Sequence, residues 1–148
     1  MNNKIPPPIV TLISGLGIYF SRNLFPNHHG LIIDIFSVLL LISGIIIIRT
    51  AFVSFKNHQT TINPLNLTKT SSLVTTGIFK HTRNPMYLGM VFILLSIALK
   101  FNVYGGLIIM LLFFSFITKF QIIPEEKAME NLFGQEFKNY KKTTRRWL

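Results

Sequence analysis

The chain predicts an all-α fold, a multi-pass bundle of about four transmembrane helices followed by a C-terminal amphipathic interfacial helix. Three observations carry this prediction. Of the 148 residues, 49% are hydrophobic and only 14% are charged, whereas roughly a quarter of a soluble domain is charged. The hydrophobic residues gather into four runs divided by polar segments. The cations fall where alternate loops of such a bundle would face one side of a bilayer. The length is that of one domain, and residues 1–148 are read as a single membrane-embedded unit.

The first run, Ile5 to Ser21, is charge-free behind Lys4. No small-residue cleavage site follows it, so a retained span near 6–24 is expected rather than a signal peptide. Its Gly15 and Gly17 suit close helix packing. Leu31 to Ile48 is the strongest run and predicts a span near 31–51, with Asp34 at its outer edge. Met86 to Leu99 and Phe101 to Thr118 predict spans near 85–99 and 102–120. Between them Lys100, Asn102, Gly105 and Gly106 mark a tight turn, so these two spans form a hairpin. The third is short for a ~30 Å hydrocarbon core at ~1.5 Å per residue, unless its helix starts near Pro85 or tilts. After the fourth span Pro124 is a good first-turn residue. Met129, Leu132, Phe133, Phe137 and Tyr140 then recur at helical spacing, which predicts an amphipathic helix over 124–141.

Charge sets the orientation. With a cytoplasmic N-terminus and four spans, thirteen of the fifteen cations lie inside, and only Arg22 and Lys100 lie outside. Both termini and the polar loop 53–84 are therefore expected in the cytoplasm, where the Asn66-Leu67-Thr68 sequon goes unused. The net charge of +10 fits anionic headgroups as partner, and nucleic acid is set aside. The tail "KKTTRRWL" reads most simply as an anionic-lipid anchor with Trp147 at the interface. Cysteine is absent, and His28-His29, His58 and His81 lack metal-ligand spacing, so no metal site is predicted. His81 alone is retained as an acid–base group.

Two polar clusters should meet at the cytoplasmic base of the hairpin. One is Lys80-His81-Thr82-Arg83-Asn84-Pro85 at the head of the third span; the other is Glu125-Glu126 below the fourth. Facing one another, they suit a small zwitterion, its carboxylate toward Arg83 or Lys80 and its cation toward the glutamates. Plainer roles exist for each, as snorkelling anchors and as helix-start dipole residues.

The segments "TTGIFKHTRNPMYLG" and "IIPEEKAMENLFGQEFKNYKKTTRRWL" resemble the isoprenylcysteine carboxyl methyltransferase and phospholipid methyltransferase superfamily of membrane enzymes. Gly77, Phe79, Lys80, Arg83, Pro85, Tyr87 and Gly89 fit its first motif. Glu125, Glu126, Leu132, Phe133, Gly134, Glu136 and Tyr140 fit its second. The resemblance implies S-adenosylmethionine as cofactor and methyl transfer to a lipophilic acceptor. It implies a cofactor site of Lys80, Arg83, Asn84, Pro85, Tyr87, Leu88, Glu125 and Glu126, with Arg83, Glu126 and His81 as the catalytic candidates. Two departures stand out. Asn84 replaces the usual histidine, and Gln121 replaces an arginine of the carboxyl methyltransferases, which argues against a prenylcysteine carboxylate as substrate. The family's C-terminal segment also suggests a second role for Arg145 and Arg146, in closing the pocket. The alternatives are a membrane reductase of similar architecture using NADPH and a non-catalytic scaffold. The glycine-rich Rossmann fingerprint of soluble methyltransferases is missing.

Overall fold

The computed structural model describes residues 5–26, 30–58 and 72–148. The sequon, Lys4, Lys69 and His28-His29 lie outside them. Five helices follow in order: α1 (Pro7–Phe20), α2 (Leu31–Asn57), α3 (Pro85–Phe101), α4 (Val103–Ile117) and α5 (Ile123–Thr143). Short 3₁₀ turns at Ser21–Leu24 and Gly77–Lys80 and a π-turn at Thr118–Ile122 accompany them among the described residues. Among the described residues there is no strand.

Prolines start two helices, where a missing N–H costs nothing: Pro7 in α1 and Pro85 in α3. The expected tight turn after α3 is a single residue. Asn102 ends α3 and caps α4, its Oδ1 accepting from the Gly105 N–H at 2.9 Å. Its Nδ2 donates to the Ser21 carbonyl at 3.0 Å, so the same side chain ties α1 to the hairpin.

Helix α3 is central and packs against α1, α2 and α4. Backbone approach is closest between α2 and α3. A Cβ built on Gly89 would lie 2.7 Å from the Gly44 carbonyl oxygen and 2.6 Å from Ile48 Cγ1. Only hydrogen fits there, which is the physical reason for the glycine that closes the first motif. Ser37 Oγ donates to the Ser96 carbonyl at 3.0 Å across the same pair of helices. At the end where α2 starts and α3 finishes, Lys100 pairs with Asp34 at 2.9 Å. The starts of α3 and α5 therefore share the opposite end.

The outward faces are apolar. Leu31, Ile32, Phe36, Leu39, Ile42 and Ile46 of α2 are exposed, as are Leu107, Ile108, Leu111 and Leu112 of α4. A surface of this kind exceeds what water tolerates and suits hydrocarbon. Two helical stretches are long and apolar enough to cross a membrane, Leu31–Asn57 and the continuous Val103–Thr143; α3 is equally apolar but has 17 residues.

Two boundaries differ from the sequence expectation. Helix α2 runs to Asn57 rather than ending near 51, because Ala51 and Phe55 are held in a second apolar cluster with Val74, Phe79, Phe137 and Tyr140. The polar connection starts correspondingly later. No break separates α4 from α5 either. Proline deprives a helix of one donor and crowds the carbonyl a turn earlier, and the wider π-turn just ahead of Pro124 absorbs both. Within α5, Gly134 takes φ 51° and ψ −118°, a left-handed kink that glycine accepts without strain. Met129, Phe133, Phe137 and Tyr140 pack into the second cluster, while Leu132 stays exposed.

Candidate active site

The head of α3 is a turn made rigid from within. Asn84 precedes Pro85 and is pushed out of helical geometry, to φ −129°. Its N–H donates to the Thr82 hydroxyl at 3.1 Å, and Thr82 itself is fully buried. This geometry aims Arg83 at the first turn of α5.

There the two predicted clusters meet. Arg83 Nη2 donates to Glu126 Oε1 at 2.6 Å, and Tyr87 Oη donates to Glu125 Oε1 at 2.6 Å. The side chains of Arg83 and Glu126 are only 10% and 14% exposed, so this pair is shielded from water.

A third segment joins them. After α5 the chain turns back, and residues 144–146 lie across the 82–84 turn. The Arg83 N–H donates to the Arg145 carbonyl at 3.0 Å. Arg83 Nη1 donates to the Thr144 carbonyl. Asn84 Nδ2 donates to the Arg146 carbonyl at 2.9 Å, and the Thr82 hydroxyl donates to the same oxygen at 3.3 Å. Arg146 returns the contact with Nε and Nη2 on Glu126, at 3.0 and 2.7 Å. Glu126 is thus gripped by two guanidiniums. Trp147 stacks on Phe114 of α4, ring centroids 4.4 Å apart. Tyr140 Oη, donating to the buried Phe79 carbonyl at 2.6 Å, fixes α5 to the turn before α3.

The two glutamates, adjacent in sequence, differ in charge state. Both lie in α5, beyond the apolar stretch of α4. Burial opposes ionisation of Glu126, but the hydrogen bonds and charges of Arg146 and Arg83 outweigh it and hold the carboxyl below the usual range. Glu125 has no guanidinium. Burial pushes it up to about 7, the Tyr87 hydrogen bond offsets part of that, and the charge of Glu126 adds to it. One acid is a fixed anion; the other is poised near neutrality.

Of the predicted site residues, Arg83, Asn84, Tyr87, Glu125 and Glu126 are brought together. Pro85 and Leu88 are buried directly behind them in α3. Lys80 and His81 are exposed, and neither side chain has a hydrogen-bond partner among the described residues. Sequence reasoning did not place Thr144 or Trp147 here, and it read Arg146 first as a lipid anchor. Arg146 instead completes the ion-pair knot, a result that short-range spacing alone does not signal.

The donor set fits S-adenosylmethionine. Arg83 Nε is buried with no hydrogen-bond partner among the described residues, a donor left for a carboxylate. Glu125 takes one hydrogen bond, from Tyr87, so its second oxygen is left for a cation.

Comparison with known proteins gives these features a family. The lipid-suited helical surface and the knot at one end define the class, a membrane protein carrying a methyltransferase-type motif pair. The phospholipid methyltransferase family model matches residues 32–136, and the chain belongs to that family of membrane methyltransferases. An uncharacterized protein of Haemophilus influenzae is 38% identical over 63 residues, 43% of this chain and the whole of that relative. No solved structure matches the chain significantly.

Proposed function

We propose that the protein is an integral, multi-pass membrane enzyme that transfers a methyl group from S-adenosylmethionine to a lipophilic acceptor at the cytoplasmic face. The observation that carries this reading is the meeting of Arg83 with Glu126 and of Tyr87 with Glu125, each at 2.6 Å, in a chain of this family. Arg83 and Asn84 would hold the amino-acid carboxylate, and Glu125 the ammonium. Glu126 positions Arg83 rather than meeting the ligand directly, since both of its oxygens are taken by guanidiniums. When bound, the cofactor supplies an electrophilic methyl on a sulfonium.

The chain's own contribution is alignment and exclusion of water. Tyr87, Leu88 and Met90 are buried beside the acids and shield them from solvent. The sulfonium charge vanishes on transfer, so a tight grip on it would hold back the reaction. A single strong anion, Glu126, is kept neutralised by Arg83 and Arg146 in agreement with that. The positive-inside count supports a cytoplasmic knot and cytoplasmic chain ends, with anionic headgroups beside the basic tail. His81 is retained as an acid–base candidate at the rim.

Calorimetry in detergent with S-adenosylhomocysteine and with NADPH tests the reading. Saturable heat with the first alone supports methyl transfer. Heat with NADPH alone would replace this reading with reduction, and heat with neither would leave a scaffold.

A further inference from the structure

Four buried side-chain polar atoms lack a hydrogen-bond partner among the described residues: Arg83 Nε, Thr118 Oγ1, Gln121 Oε1 and Trp147 Nε1. The first lies in the knot. The other three gather around one turn of helix. Thr118 and Gln121 stand in the π-turn, and Trp147 is stacked on Phe114, one turn before Thr118. A buried polar atom without a partner is costly, and a π-turn inside a long helix is itself uncommon and often functional. Two such atoms on one such turn, with a third on the ring stacked against the turn before it, mark a place built for a polar guest.

The guest's chemistry follows from Gln121, which is 1% exposed. Its Nε2 donates to the Ile5 carbonyl at 2.8 Å. A carbonyl only accepts, so that bond fixes the amide orientation and leaves Gln121 presenting its oxygen, an acceptor. Trp147 Nε1 is only a donor, and the Thr118 hydroxyl serves either way. Among the described residues, no cation is hydrogen-bonded to Thr118, Gln121 or Trp147. Lys119 is exposed and lies over the Phe120 ring, 5.6 Å from its centroid. Gln121 precedes Glu125 by about one helical turn, which puts the row next to the acid that Tyr87 holds. Phe114, 40% exposed, carries the row out to the apolar face of α4, along which a hydrocarbon chain can lie.

We infer that Thr118, Gln121 and Trp147 bind the uncharged polar head of a lipophilic acceptor, and that Gln121 selects heads bearing O–H or N–H over carboxylates. An alcohol, a phenol or a neutral amine donates to Gln121 Oε1 and accepts from the Trp147 N–H. A carboxylate has no hydrogen to give Gln121 Oε1. Naming the guest as the methyl acceptor rests on the proposed methyl transfer; the binding chemistry does not.

Trp147 is the protein's sole tryptophan, so its emission reports the site directly. The full chain in phosphatidylcholine nanodiscs is titrated with 1-dodecanol and with dodecanoate, and S-adenosylhomocysteine binding is followed separately by calorimetry. The expected result is a saturable change in Trp147 emission with dodecanol at least about tenfold tighter than with dodecanoate, one good hydrogen bond's worth of discrimination. Gln121→Arg should invert the preference, and Thr118→Val should weaken dodecanol with S-adenosylhomocysteine binding intact. Equal binding of the two probes by the unaltered protein, no response to either, or preference for dodecanoate overturns the assignment, and none of these needs a variant to fold. Loss of S-adenosylhomocysteine heat with the dodecanol response kept would sink the methyl-transfer reading and leave the alcohol site standing.

Discussion

Replacing Glu126 by glutamine keeps the shape and removes the charge at the centre of the knot. The carboxylate accepts from Arg83 Nη2 at 2.6 Å and from Arg146 at 3.0 and 2.7 Å. Removing one member of a shielded pair costs ~3–5 kcal/mol, because its partner stays behind unmatched. Arg83, at 10% side-chain exposure, is such a partner; Arg146, at 37%, is wetter and adds little. The glutamine oxygen still accepts one hydrogen bond, recovering ~1 kcal/mol. The net loss is ~2–4 kcal/mol. Because Arg83 and the 144–146 segment flank the proposed cofactor site, S-adenosylhomocysteine affinity should fall about 30-fold or more at ~1.4 kcal/mol per decade. Calorimetry measures the affinity, and thermal unfolding in the same detergent measures the stability. Glu136, exposed and outside the ion pairs among the described residues, is the control; Glu136→Gln should stay within ~0.5 kcal/mol. If Glu126→Gln and Glu136→Gln behave alike, the knot is not what holds this end of the bundle. A cycle with Arg83→Gln should return a coupling of ~1–3 kcal/mol; additivity would also refute the pairing.

Three further outcomes follow from the geometry. Gly89→Ala forces a methyl onto the Gly44 carbonyl and Ile48 and should cost ~1–3 kcal/mol, seen as a lower melting temperature, while Gly30→Ala, which meets nothing, should not. Glu125 has its folded value pushed up to about 7, so below that pH the free protein holds it protonated, and an ammonium ligand must displace the proton. S-adenosylhomocysteine affinity should therefore rise about tenfold per pH unit up to about pH 7 and then level, and Glu125→Gln should flatten the profile; a flat profile in the unaltered protein would exclude Glu125 as the cation's partner. Tyr140→Phe strands the buried Phe79 carbonyl and should destabilise by ~1–2 kcal/mol, measured by thermal unfolding, without a change in the pH profile.

The helical class and the meeting of the two clusters were legible in the sequence because both depend on chain-local signals. Apolar runs bounded by prolines and one-residue punctuation at Asn102 dictate a hairpin, and a hairpin brings Arg83 to Glu126 whatever else packs around it. The division of labour between Glu125 and Glu126 was not legible. They share a helical turn, and only the contacts of Arg83 and, from the third segment, Arg146 with one of them separate a saturated anion from a poised acid. The continuation of α2 to Asn57 was hidden for a related reason, since Arg49 and Lys56 read as the end of an apolar run while Ala51 and Phe55 are held by residues far along the chain. The basic tail illustrates the limit most clearly. Lys141, Lys142, Arg145 and Arg146 look alike in composition, yet Lys141 pairs with Glu130 at 2.8 Å and Arg146 with Glu126, while Lys142 and Arg145 are exposed.

The crossing of residues 144–146 over the α3 turn also sets an order of events in biosynthesis. Arg83 leaves the ribosome 61 residues before Thr144, whose carbonyl it binds. For the first 43 residues of that interval the bare guanidinium has neither its carboxylate nor its carbonyls, and it resists being drawn past the headgroups. Assembly of the knot therefore waits until translation has passed the last of its three segments of chain.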